Sequence, residues 1–370
     1  MPEAIAYRTG AYRAVDPART WQRVEPALER FGITRVADIT RLDEIGLPVH
    51  VAYRPAGLAY AVSMGFGVTV PHSRVSAVME SIEAWHAENL RLPVVARAPA
   101  AALDLGYDVR GLILASRSPL TSQVVLDWAS GYGLLTGREI LAPVDSIRLD
   151  GTEPRDWATV LFRATSEGLA TGNTEAEAVL HGLLELIERA SLVGRHTRPG
   201  RYVDPGTCDD PVTSQIYAAL RAAECTVAVR DVTGPTGLPC YTATIWSCDV
   251  PMRCAGFACH LNPEIALGRA LGEAVLTRLA AISGARDDID GVAYREMAEP
   301  VVPAALADVR DHDGWVDDGD LRSVIRHCAS LVAAATGFEP FAVRLTHEDI
   351  GIPAVKVFTP GLRNLGQASS

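Results

Sequence analysis

Between Thr174 and Arg189 the apolar residues Leu180, Leu183, Leu184 and Ile187 recur at helical spacing. Thr174 with Glu177 three residues on makes a capping box at the start. The same period predicts helices over 73–88, with Val75, Val78, Met79 and Ile82 buried, and over 262–282 around Leu267, Leu271 and Val275. It also predicts an amphipathic helix over 321–336 and one over 17–31, with Asp16 as N-cap and Gly32 as stop. Alternating or β-branched runs predict strands at 35–39, 58–70, 111–118 and 122–130. Two more flank DVTGPTGLP between Cys225 and Cys248, and FAVRLTH and AVKVFTP close the fold. Gly46-Leu47-Pro48, Gly237-Leu238-Pro239 and Gly351-Ile352-Pro353 each lead into a strand, where a proline at the first position costs no ladder bond. This repetition predicts related strand-then-helix units. The stretch 297–320, rich in Asp, Gly and Pro, reads as a linker or exposed insertion.

The polar positions of the helices carry the chemistry. Glu177, His181, Glu185 and Glu188 follow a four, four, three spacing and form one narrow stripe without a lysine. A solvated face normally interleaves signs, because like charges at i,i+4 repel. Here only Arg189, beside the stripe, answers the carboxylates. Ser76, Glu80 and Glu83 form a second stripe, and Arg269 with Glu273 a third. When Glu80, Glu185 and Glu273 are aligned, Ser76, His181 and Arg269 each fall four residues upstream. Carboxylates that converge cannot all ionise side by side without cations. Oxygen ligands suit magnesium completed by waters and phosphate oxygens, so the pattern implies a magnesium–nucleotide site.

Composition narrows the setting. The 370 residues suffice for a large core in one elaborate domain or a few subdomains; 48% hydrophobic and 21% charged residues are those of a globular protein. A net charge of −11 argues against nucleic acid or an anionic membrane as the main partner. Lys356 is the only lysine and no Gly-Lys-Ser/Thr loop exists, so a P-loop is excluded and any cation on the nucleotide should be an arginine. Seven cysteines, an odd count, and no signal peptide predict a cytoplasmic protein; no apolar run is long enough to span a membrane. Cys248, Cys254 and Cys259-His260 lack the short knuckle of a zinc site and read as ordinary strand cysteines.

SAVMESIEAWHAE, GLATGNTEAEAVLHGLLELIER and ALGRALGEAVLTRLAAISGARDD, in this order, resemble the three ATP-binding motifs of the YcaO family, and the GITRVADITRLDEIGLPV segment is similar to its N-terminal part. The resemblance implies an α/β (α+β) YcaO-like fold of mixed sheets, with helices lining an ATP-binding cleft. It would comprise an N-terminal segment 1–65, an ATP-binding core 66–296 and a completing segment 297–370. It implies ATP and Mg2+ as cofactors, with metal ligands drawn from Glu80, Glu83, Glu177, Glu185 and Glu188. Those residues other than Glu177, together with Arg189, would carry the catalytic role. Arg13, Thr20, Ser76, Asn173, Glu177, Arg189, Arg269 and Glu273 would contact the nucleotide. Two positions depart from the family pattern: Gly65-Phe66-Gly67 stands where many members have Gly-Lys-Gly, and Ser166-Glu167-Gly168 where Ser-Asn-Gly is common. His181 matches no family ligand. Arg286, Asp287 and Asp288 stand either near the site or at a solvated helix end.

The implied reaction is ATP-dependent activation of a peptide or protein backbone amide, whose oxygen is phosphorylated and leaves as phosphate. FTPGLRNLGQASS lacks the Pro-x-Pro-x-Pro tail frequent in azoline-forming members, and DIGIPAVKVFTPGL resembles the TfuA-associated branch. The expected product is therefore a thioamide, with azoline and macroamidine formation as alternatives. An acyl-phosphate-forming ligase or a nucleotide-retaining scaffold belongs to other classes. Expected partners are a precursor peptide or protein substrate and a TfuA-like or leader-binding protein; a homodimer is left open.

Overall fold

The computed structural model describes residues 6–8, 10–151, 160–193, 200–285, 297–309 and 320–362. A short hairpin, β1 (Ala6–Arg8) with β2 (Ala11–Arg13), leads into helix α1 (Pro17–Val24). Asp16 caps α1 through the Ala18 N–H. The expected helix over 17–31 is not continuous: from Glu25 it tightens into a 3-10 turn, where Pro26 has no N–H to continue the ladder, and Gly32 ends it in the left-handed region. Arg13 lies on β2, ahead of α1.

Strands β3 (Arg35–Asp38), β4 (Val49–Tyr53) and β5 (Val62–Phe66) form an antiparallel sheet, and helix α2 (Val70–Glu88) follows β5. Next come β6 (Ala96–Pro99), β7 (Val125–Gly133), β8 (Glu139–Pro143) and β9 (Leu169–Thr171), the last feeding helix α3 (Glu175–Val193). The run at 111–118, expected as a strand, contributes only an isolated bridge from Leu114 to Phe162. Its apolar side chains are satisfied by packing with Trp128 and Phe341, without a ladder partner. Strand β10 (Arg201–Val203), helix α4 (Pro211–Ala222), then β11 (Thr226–Asp231), β12 (Cys240–Trp246) and β13 (Cys254–Cys259) give a four-stranded sheet, from which helix α5 (Pro263–Ser283) leaves. The chain then forms α6 (Leu321–Thr336) at the expected bounds, followed by β14 (Phe341–Arg344) and β15 (Ala354–Phe358). These two complete a six-stranded sheet, β6-β7-β14-β15-β9 with β8 beside β7.

A threefold repeat underlies this order. Strands β4, β12 and β15 each follow one of the Gly-x-Pro turns, whose glycines Gly46, Gly237 and Gly351 have φ of 72°, 74° and 70°. Each then pairs antiparallel with an edge strand, respectively β5, β13 and β9, and each edge strand runs into a glutamate helix. The third unit is assembled from distant parts of the chain. Ile352, just before β15, packs in one cluster with Val24 and Phe31 of the N-terminal segment and Val78 of α2, so the two ends of the sequence interlock. Arg286, Asp287 and Asp288, residues 310–319 of the expected insertion and the tail 363–370 lie outside the described residues.

Candidate active site

Counted from the first helical residues Val70, Glu175 and Pro263, the seventh residues are Ser76, His181 and Arg269, and the eleventh are Glu80, Glu185 and Glu273. The fourteenth are Glu83, Glu188 and Leu276. The alignment drawn from the sequence is therefore a structural equivalence. The helices face one cavity of about 410 Å3, lined by all of these residues together with Arg13, Thr20, Asn173 and Arg189. Of the residues expected at the site, Glu177 alone is not among those that line it. It is 4% exposed, its Oε1 accepts the Ala14 N–H (2.7 Å) and its Oε2 the Asn173 N–H (2.7 Å). Thr174 caps the helix by accepting the Glu177 N–H (3.2 Å), but the Glu177 carboxylate reaches Asn173 and not Thr174.

Backbone amides of the edge strands aim the carboxylates. Thr171 N–H on β9 donates to Glu83 Oε2 (3.2 Å), Gly168 N–H just before β9 to Glu185 Oε2 (3.1 Å), and Phe257 N–H on β13 to Glu273 Oε2 (2.8 Å). An edge strand has donors that no neighbouring strand takes, and here glutamates take them. Burial followed by the charges of Glu185 and Glu80 pushes the Glu83 carboxyl well above its usual range. Burial lifts Glu185 to about 7 against the opposing pull of Arg189. Glu188 is raised by burial and by Glu273. Arg189 sits 3.8 Å from both Glu185 and Glu188, and their charges outweigh burial in keeping it protonated.

The opposite wall is basic. Burial and then Arg13 lower Arg269 from the usual guanidinium value. Burial followed by Arg269 brings His181 and His260 to about 3; burial followed by Arg13 brings His72 to about 4, so all three are neutral beside the arginines. The residues fit magnesium and phosphate: a wall of carboxylates whose ionisation is opposed by burial and mutual charge, facing arginines that themselves crowd. Among the described residues, no three of His, Cys, Asp and Glu are grouped to hold an ion by themselves. Mg2+ takes one or two carboxylates and leaves its other positions to phosphate oxygens and water. An apolar lobe of Met64, Phe66, Val68, Val212, Ile216 and Leu276 completes the cavity.

Sequence reasoning noted Lys356 as the only lysine but gave it no place near the carboxylates. It is 2% exposed on β15, donates to the Thr165 carbonyl (2.7 Å) and feels the charges of Glu185, Glu167 and Glu83. Burial lowers it to about 8. A lone lysine within the all-buried strand AVKVF was the available signal. His72 was also missed, and nothing in its spacing marks it; His260 was weighed only as part of a zinc cluster with Cys248, Cys254 and Cys259. Cys254 and Cys259 are buried and Cys248 is exposed. No helix among the described residues is long and apolar enough to cross a membrane.

Residues 64–363 match the family described as YcaO cyclodehydratase, ATP- and Mg2+-binding. An uncharacterized Mycobacterium tuberculosis (strain H37Rv) protein is 35% identical over 98% of this chain and 84% of its own length. A Rhizobium leguminosarum bv. trifolii protein from the tfuA 3′ region is 31% identical over 95% of this chain and 88% of its own. In fold the chain is similar to YcaO from Methanopyrus kandleri bound with AMPPCP and Mg2+ (TM-score 0.76, 22% identity), over 97% of this chain and 94% of that one. The matched span, the order of the three glutamate helices and the likeness in fold agree: the chain belongs to the YcaO family, whose members bind ATP and Mg2+.

Proposed function

We propose that the chain activates a backbone amide of a peptide or protein with Mg-ATP, and that the product is a thioamide made with a TfuA-type partner. The observation that carries the activation step is the cavity itself, with glutamates at matching positions of three helices facing Arg13 and Arg269. Mg2+ ions, each taking one or two of Glu80, Glu83, Glu185 and Glu188, would neutralise charge on the phosphoryl group that ATP supplies. Arg13, Arg189, Arg269 and Asn173 bind and orient the phosphates; Thr20, Ser76 and Glu273 border them. The sulfur nucleophile adds to the amide carbon, the amide oxygen takes the phosphoryl group, and that oxygen departs as phosphate when the thiocarbonyl forms. Catalysis on this reading is positioning and charge neutralisation. The relative from the tfuA 3′ region supports the TfuA branch. The family description names cyclodehydratase chemistry, which makes azoline formation the second reading.

Calorimetry with AMPPCP and Mg2+ should show binding that Glu185→Ala or Glu188→Ala weakens more than tenfold, with far-UV dichroism unchanged. Unaltered affinity in both variants would remove the site. Incubating the chain with TfuA-type partner, ATP, sulfide and substrate should add about 16 Da for oxygen-to-sulfur exchange. A loss of about 18 Da would mean cyclodehydration and overturn the thioamide.

A further inference from the structure

We propose that Glu177 is a positioning residue that latches the N-terminal segment across the cavity, setting Arg13 and Asn173 toward the nucleotide, and is not a ligand of the metal. The inference rests on the cavity being the Mg-nucleotide site. Glu177 shares its stripe with His181, Glu185 and Glu188, yet it sits one turn closer to the start of α3, where the chain from 10 to 20 passes over the helix end. Its two oxygens are taken by backbone N–H groups from two separate segments, Ala14 after Arg13 and Asn173 before the Thr174 cap. A carboxylate accepting two amide donors is held in one orientation, and each such bond is charge-assisted. Glu177 therefore ties together the two segments that carry Arg13 and Asn173, and it acts through them.

Other contacts spread the same attachment. Thr20 Oγ1 donates to Asn173 Oδ1 (2.9 Å), and Arg23 donates to the carbonyls of Asn173 (3.2 Å) and Gly351. At the far end of the segment Tyr7 donates to Asp210, and the Tyr12 ring stacks on His260 with centroids 6.1 Å apart and planes 7° apart. Between these anchors Gly10, Ala11, Arg13 and Val15 form part of the cavity wall. The segment is a wall only while both ends hold, and Glu177 holds the end nearest the carboxylates.

Glutamine in this place keeps the shape but offers one acceptor where two donors arrive, so one N–H would face an NH2 group. In Glu177→Gln, AMPPCP affinity should fall roughly tenfold, the loss of about one charge-assisted bond. The Mg2+ concentration for half-saturation, measured with saturating nucleotide, should match that of the parent protein. Amide hydrogen exchange over residues 10–16 should quicken in the same variant. Arg13→Ala should lower nucleotide affinity comparably, a measurement that stands even if Glu177→Gln folds poorly, and the double variant should lose no more than either alone. A raised Mg2+ requirement in Glu177→Gln with unchanged exchange over 10–16 would make Glu177 a ligand and overturn the proposal. So would unchanged AMPPCP affinity, or losses that simply add with Arg13→Ala. Glu188→Ala run alongside separates the two levels: if it too leaves affinity untouched, the nucleotide site itself is misplaced and the latch falls with it.

Discussion

Glu185 retains a proton at a pH where an exposed glutamate has lost it, because burial outweighs Arg189 beside it. The sign of the resulting linkage is definite. Between about pH 4.5 and 7 the unfolded chain releases a proton that the folded chain keeps, so stability falls as pH rises, by up to about 3 kcal/mol. His86 works the other way. Its ring is fully buried against Phe31, Trp85 and His347, its Nδ1 meets the Ile82 carbonyl (2.8 Å), and burial lowers it to about 4. Its contribution is complete above about pH 6.5 and is lost as pH falls toward 4, again about 3 kcal/mol at most. Melting curves of the nucleotide-free protein across pH 4–8 should show these slopes opposing each other. Glu185→Gln should reduce the alkaline loss, to which Glu83 and Glu188 also contribute, and raise the melting temperature at pH 7, while abolishing the upward shift given by Mg-AMPPCP. A variant no more stable than the parent at pH 7 would show that Glu185 is not held protonated there.

At the scale of elements, close approach decides where the glutamates point. A Cβ at Gly65 on β5 would lie 2.0 Å from the Ala77 backbone nitrogen of α2, and one at Gly256 on β13 would lie 2.3 Å from that of Ala274 on α5. Backbone cannot yield to such a contact, so strand and helix must part. Gly65→Ala should cost more than about 2 kcal/mol in urea unfolding, and Ser76, Glu80 and Glu83 should shift together, weakening nucleotide binding. A neutral result would mean that α2 does not rest on β5 as described. This is also where sequence and structure part company. The glutamate helices, α6, the Gly-x-Pro turns and the strand pair around DVTGPTGLP were legible, since period and turn chemistry are local. The pairing of β15 with β9 was not, because 183 residues separate Thr171 from Ala354 and no local pattern names a distant partner. The partners of Glu177 were hidden for a related reason: helical spacing puts it on the stripe, and what meets its carboxylate is backbone from Ala14 and Asn173.

Across the whole molecule, the apolar interior is divided among several clusters, and the largest joins β4 and β12 with helices α4 and α5. The site lies between units, so no one of them contains it. Glutamates come from α2, α3 and α5, arginines from β2, α3 and α5, and α3 rests on β15 as well as β9. That last support sets a schedule for a chain made from its N-terminus. At about 5–20 residues per second, β9 and α3 wait roughly ten to forty seconds for the strand that completes their sheet. Through that interval the apolar face of α3, with Leu183 and Ile187, has no finished platform and is open to chaperones or to wrong partners. Nascent chains arrested before residue 350 should leave α3 sensitive to protease, and chains released beyond residue 362 should protect it. The enzyme site thus comes into being as a late event of synthesis, governed by when its last strands leave the ribosome.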